Sequence, residues 1–294
     1  MPSPRVIQRR IKSINKISQV TRAYEMIAAS KVRRAQQATL ASRAYAEKAW
    51  EMLTYIASQP GRSKLLHPLL EERSAIGSIL VLLITSDRGL CGAYNVNVIR
   101  AATEFAAKQA KPVRFIAVGR RGANFAARYG KEVVAEFSNM SDRPTILDIG
   151  PIAKVAIKEF VEGREDEVYL VYTDYVNTLV QHPVVRPLLP IHPAEEHAES
   201  QSAVYLYEPD PETILSTILP RFTEIQIYQA VLESVASEWA ARMVAMRSAT
   251  DNARDLIRDL TLAMNKARQA SITKEMLEIA GGAEAQRQAR ATRF

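Results

Sequence analysis

The chain is predicted to be α/β plus a long antiparallel two-helix coiled coil, with a Rossmann-like α/β domain inserted between the N- and C-terminal helices. Residues 5–59 and 221–280 run without one Gly or Pro, whereas globular helices average about three turns and seldom pass ~25 residues. Between them the pattern changes to short apolar runs alternating with helical segments, as expected of a mostly parallel sheet with crossover helices. Composition agrees: of 294 residues only 11 are Gly, and the 47% hydrophobic content includes much Ala but only 7% aromatic, which suits long helices better than two large cores.

In the first helix Ile7, Ile11, Ile14, Ile17, Val20, Tyr24, Ile27, Val32 and Ala35 recur at threes and fours. That spacing gathers them on one stripe, with Arg9, Arg10, Lys12, Lys16 and Arg22 mostly off it. The net charge of +7 is concentrated here, since residues 1–60 hold 11 basic and 3 acidic side chains. In the middle block, 78–85, 113–118 and 167–173 read as buried strands and 133–137 as a weaker one. The helices of this block are expected at 96–110, 122–129 and 147–162, and 184–191, with its two prolines, can only be an edge strand or an extended segment. Linkers at 60–73 and 192–202 bound the block. The domains expected are therefore a discontinuous shaft, 1–60 with 209–294, and an α/β domain at 74–208.

The last helix starts at Asp210-Pro211, Asp as N-cap and Pro at the first helical position, and Pro220 should bend or loosen it. Its stripe runs Ile218, Phe222, Ile225, Val235, Trp239, Met246, Thr250, Ala253, Ile257, Leu260, Met264, Ala267 and Ser271. From Met246 the spacing alternates four and three, a heptad repeat that predicts a left-handed supercoil. If the insert keeps its two ends close, the helices pair antiparallel with Arg5 opposite a residue near position 265. At ~1.5 Å per residue the first helix spans ~80 Å and the last ~100 Å or more, so the final ~20 residues project without a partner. At ~100° per residue Ala267, Ala270, Ile272, Met276, Leu277, Ile279 and Ala280 cover about half of that tip's circumference, and such a surface expects to be surrounded. Gly281-Gly282 reads as a helix stop.

The longest wholly apolar run, 79–84, falls far short of the ~20 residues a membrane span needs. Residues 1–10 lack the apolar core of a secretory signal, and the single Cys91 forms no intrachain disulfide. A soluble, cytoplasmic-type chain is expected. There is no phosphate loop, nucleophile elbow, C-x-x-C or H-E-x-x-H motif, so catalysis by this chain alone and a bound cofactor are not expected. His67, His182, His192 and His197 fall in loops, and the spacing of His192 and His197 matches no common metal-ligand motif. Thr85–Asn95 (TSDRGLCGAYN) follows a strand and precedes a helix, so it is either a turn that needs Gly for its backbone angles or an anion site at a switch point. Gly119-Arg120-Arg121-Gly122 reads as a basic surface turn. The basic first helix could grip nucleic acid or an anionic membrane, but it lacks interleaved aromatics for base stacking, and acidic protein loops are the better partner.

Residues 7–34 (IQRRIKSINKISQVTRAYEMIAASKVRR), TSDRGLCGAYN and 236–284 (ASEWAARMVAMRSATDNARDLIRDLTLAMNKARQASITKEMLEIAGGAE) resemble the gamma subunits of F-type ATP synthases. The resemblance spans nearly the whole chain. It implies the central rotor of a proton-translocating complex: a non-catalytic shaft inside a ring of three alpha and three beta subunits, joined to a Rossmann-like domain near the epsilon subunit and the membrane c-ring. The location implied is peripheral, on the cytoplasmic face of the bacterial cell membrane, with no nucleic acid bound. By the same resemblance Met26, Lys31, Arg33, Arg34, Arg268, Gln269 and Thr273 would contact the beta subunits, the basic ones facing an acidic loop. Tyr205, Tyr207 and Glu208 would lie at the foot, against the c-ring and epsilon. Three features depart from the family pattern: Tyr24 stands where Met is common, the tail 286–294 is longer and more basic, and a lone Cys91 excludes the dithiol switch of chloroplast relatives. An α/β enzyme with helical oligomerisation arms is the alternative.

Overall fold

A computed structural model describes residues 3–57, 67–73, 76–192 and 211–291. The elements run α1 (Pro4–Ala57), β1 (Ile79–Ile84), α2 (Tyr94–Lys108), β2 (Val113–Val118), α3 (Arg120–Arg128), β3 (Val133–Phe137), α4 (Ile146–Val161), β4 (Glu167–Tyr175), β5 (Gln181–Leu189) and α5 (Pro211–Ala291). They form two compact units, Ile27–Ala245 and Met1–Met26 with Met246–Phe294, and both long helices contribute to each.

The larger unit is built on a mixed five-stranded sheet of order β3-β2-β1-β4-β5. β1 pairs in parallel with β2 and β4, β2 in parallel with β3, and β5 closes the edge antiparallel to β4. β1 reads ILVLLI and is buried at every position, the near-continuous apolar run expected of a strand covered on both faces. Alternation sorts its side chains. Leu80, Leu82 and Ile84 join one cluster with Ile149, Ile152 and Phe160 of α4 and Leu219, Phe222 and Val231 of α5. Ile79, Val81 and Leu83 point the other way, to Val98 and Ala102 of α2.

β1 to β4 lie within two residues of their expected positions; the edge strand expected at 184–191 runs three residues earlier, at Gln181–Leu189, and so carries Pro183 and Pro187. The early part of α5 departs from the one-stripe expectation. From Phe222 to Arg242 it is buried on most sides, with Thr223, Ile227, Ser234, Ser237 and Ala240 inside as well, as a core helix is. The helix is continuous through Pro220 and through Gly281-Gly282 to Ala291, so the expected stop is corrected. A Cβ at either glycine would meet nothing, and no close packing requires Gly there. The expected N-cap, Asp210, lies outside the described residues.

In the smaller unit Glu25 pairs with Arg247 and Thr21 with Thr250. The partner number rises as the α1 number falls, so the two segments run antiparallel. On α5 the less exposed positions include Met246, Thr250, Ala253, Ile257, Leu260, Met264, Ala267 and Ser271, the expected heptad, with Ala249 and Thr261 partly covered beside it. Beyond Ser271 every residue to Gln286 is exposed.

The α1 seam corrects the sequence expectation midway. Its inward positions are Ile7, Ile11, Ile14, Ser18, Thr21 and Glu25, whereas Ile17, Val20 and Tyr24 are 54%, 54% and 45% exposed. Two stripes with the same three-four spacing lie one residue apart, and the polar one faces α5.

Candidate partner-contact surface and the crevice at the strand ends

The residues assigned to partner contact fall in both units. In the smaller one Met26 is an exposed apolar side chain, 62% open. Arg268, Gln269 and Thr273 lie on the exposed side of α5, where the Thr273 hydroxyl donates to the Gln269 carbonyl at 3.0 Å. Further on, Ile272, Met276, Leu277 and Ile279 stay open, Leu277 at 68%.

In the larger unit Arg33 and Arg34 are exposed and form no ion pair among the described residues. Lys31 differs. It pairs with Asp142 in the β3–α4 loop, and its ammonium stands 4.5 Å from the Trp239 ring centre. Trp239, Ala28, Val32 and Ala240 form a small apolar cluster that holds this stretch of α1 against α5. Arg242, one turn on, also lies over Trp239, at 4.4 Å, and pairs with Glu238 at 2.6 Å. Burial, partly offset by Arg242, holds the Glu238 carboxyl above the ordinary range. The tie from Lys31 to Asp142 was not legible in the sequence, because the two stand 111 residues apart. A Glu–Trp–x–x–Arg run within a helix buried on most sides was the one available signal for the Glu238–Arg242 pair.

The segment 85–95 is a closed turn. The Arg120 amide at the start of α3 donates to Asp87 Oδ1 at 3.0 Å, the Arg121 amide to the Ser86 carbonyl at 3.1 Å, and the Gly122 amide to Thr85 Oγ1 at 2.8 Å. Asn95 Oδ1 accepts from the Ser86 amide at 3.0 Å. A helix start is a ready anion site only while its amides are free; here the chain's own oxygens take them. Gly119, at φ +93, passes so near β1 that a Cβ would stand 2.2 Å from the Thr85 carbonyl oxygen, which leaves Gly as the residue that fits.

Cys91 is buried, and burial raises its pKa, the condition of an unreactive thiol. His192 lies 3.0 Å from Glu72, and no cluster of metal-ligating residues occurs among the described residues. His197, Tyr205, Tyr207 and Glu208 lie outside the described residues. No helix among the described residues is long and apolar enough to cross a membrane.

The family model described as ATP synthase matches residues 3–286. An ATP synthase gamma chain of Dehalococcoides mccartyi strain CBDB1 is 48% identical over 285 residues, which cover 97% of this chain and 99% of the relative. One of Roseiflexus castenholzii is 48% identical over 290 residues, with the same coverage, 97% and 99%. Among solved structures, a chain of the Euglena gracilis mitochondrial ATP synthase OSCP/F1/c-ring in rotational state 3 superposes with a TM-score of 0.68 at 20% identity, covering 98% of this chain and 95% of that one. A chain of the Tetrahymena thermophila mitochondrial ATP synthase central stalk/c-ring gives 0.61 at 24% identity, covering 78% of this chain and 99% of that one. At these identities the structural likeness concerns the fold.

Proposed function

The chain belongs to the ATP synthase gamma-chain family, and we propose that it is the central rotor of a proton-translocating F-type ATP synthase, without a catalytic site of its own. Residues 1–60 and 209–294 make the coiled-coil shaft, and 74–208 the Rossmann-like domain inserted between its halves. The heptad burial of α5 and the antiparallel contacts with α1 support the shaft; the parallel β3-β2-β1-β4 order supports the insert.

The observation that carries the reading is an inverted seam. Between Ser18 and Glu25 α1 turns polar side chains to α5 and leaves Ile17, Val20 and Tyr24 to solvent. Beyond Ser271, α5 exposes Ile272, Met276, Leu277 and Ile279. Apolar faces of this extent mark a surface that a partner covers. The alpha and beta subunits form that sleeve. Met26, Lys31, Arg33, Arg34, Arg268, Gln269 and Thr273 meet the beta subunits, and Lys31 must leave Asp142 to do so. Tyr205, Tyr207 and Glu208 stand at the foot with the epsilon subunit and the c-ring, on the cytoplasmic face of the bacterial membrane.

Coupling follows from asymmetry. Three chemically identical beta subunits meet three different faces of one shaft, so their nucleotide affinities differ at any instant, and turning the shaft exchanges them. This is a differential-contact free energy between remote sites, the physical content of allostery. The α/β-enzyme alternative is not favoured, because the ATP synthase family model matches residues 3–286 and gamma-chain relatives align over 97% of the chain.

Co-expression with the alpha and beta subunits of the same source tests the reading. A stoichiometric complex whose multi-site ATP hydrolysis depends on this chain is expected; a chain that stays apart and binds nucleotide by itself would overturn it.

A further inference from the structure

A cavity of about 170 Å³ opens in the larger unit at the C-terminal ends of β1 and β2, with Arg88, Ser141, Glu238, Trp239 and Arg242 in its wall. Arg242 is only 4% exposed. One side of its guanidinium is engaged: Nη2 donates to the Gly89 carbonyl at 3.1 Å and pairs with Glu238. Its Nη1 has no partner. Buried polar groups are almost always paired, and a guanidinium cannot lose its charge to escape the cost.

The carboxylates around the cavity are occupied. Asp87 accepts from the Arg120 amide and stands 3.7 Å from its guanidinium, Asp142 holds Lys31, and Glu238 holds Arg242. Arg88 is exposed and forms no ion pair among the described residues. The Ser141 hydroxyl accepts from the Arg143 amide at 3.1 Å, which leaves its own proton to donate. The capacity left over is thus cationic and donor-rich, supplied by α5, the β1–α2 turn and the β3–α4 loop.

We propose that this crevice binds a tetrahedral oxyanion of the phosphate class, with Arg242 Nη1 as its buried donor, Arg88 as the cation at its mouth and Ser141 as a neutral donor. Donors from three separate elements suit a tetrahedral ion better than a planar carboxylate, which a single guanidinium edge satisfies. The α3 start has no part in the site, because its amides are engaged.

Equilibrium dialysis of the full chain against radiolabelled inorganic phosphate tests this. The expected result is saturable binding of one phosphate per chain, displaced by sulfate, at least tenfold weaker in Arg242→Lys and severalfold weaker in Arg88→Gln. Arg88 is exposed, so its variant folds whether or not the Arg242 one does. Absence of saturable binding, with Arg242 facing water only, overturns the proposal, and so does phosphate binding that Arg88→Gln leaves undiminished.

Discussion

The sheet unit and the two-helix unit bury opposite kinds of residue at their centres. Along β1 every position is buried and aliphatic, and Leu80, Leu82 and Leu83 reach 0% exposure. Between the helices the middle of the seam holds Ser18, Thr21, Glu25 and Thr250, while Ile17, Val20 and Tyr24 face out. The sheet unit draws its stability from its own core. The helix pair keeps a polar seam inside and leaves an apolar face exposed.

The largest effect should come from a matched pair of truncations. Leu82→Ala leaves a cavity in a fully buried layer and should cost about 2–5 kcal/mol in urea unfolding of the full chain. Ile17→Ala removes a similar side chain from a half-exposed site and should stay within about 0.5 kcal/mol, yet lower the yield and ATPase activity of the assembled complex. Equal costs in the isolated chain would erase the contrast between the units.

That contrast also explains what the sequence could and could not reveal. The core strands β1 to β4 were legible to within two residues because a run such as ILVLLI reads as buried throughout, and the heptad after Met246 was legible because its four-three spacing is unbroken to Ser271. On α1 two stripes compete, Ile17-Val20-Tyr24 and Ser18-Thr21-Glu25, with identical spacing. Hydrophobicity assigned the first to α5. A periodicity states that a face will be covered; it does not state by which chain. The exposed Arg33 and Arg34 were legible as basic surface and Arg268 only through the family resemblance, but the Asp142 partner of Lys31 was not, since only the fold brings the β3–α4 loop to α1.

A second effect probes the polar exception within the sheet unit. Glu233 of α5 is buried, with Oε2 unpartnered, while Gln229 donates to its other oxygen at 2.7 Å. Burial first, and then Asp174 of β4, raise its pKa above the ordinary 4.5; Arg186 of β5 opposes the rise. The native state therefore keeps a proton that the unfolded chain has released. That contribution to stability is complete below about pH 4.5 and is lost as pH rises through the folded pKa. Glu233→Gln should match the native chain near pH 4 and exceed it near pH 8, recovering part of the about 1–3 kcal/mol that an unsatisfied buried oxygen costs. A variant weaker at pH 8 would show that the carboxylate is held by a donor.

Within the helix pair the Thr21 and Thr250 hydroxyls meet at 2.7 Å. Either Thr→Val change alone should cost about 0.5–1.5 kcal/mol by removing the bond across the seam, the remaining hydroxyl keeping only a carbonyl of its own helix, Ser18 for Thr21 and Met246 for Thr250, and the double change should cost less than the sum of the two. A double variant as weak as the sum of the two singles would mean that each hydroxyl works independently, through its bond to the backbone of its own helix.

The smallest effect belongs to the ion pair four residues further along the seam. Arg247 donates to Glu25 at 2.9 Å, but its side chain is 66% exposed. Such a pair is worth about 0.2–1 kcal/mol and weakens further with salt. A double-mutant cycle on Arg247 and Glu25 should give a coupling in that range at low ionic strength and almost none near ~1 M salt. The register of the two helices then rests on the heptad shape from Met246 to Ser271 and not on charge. A coupling above about 2 kcal/mol that persisted in salt would give the ion pair the register-setting role.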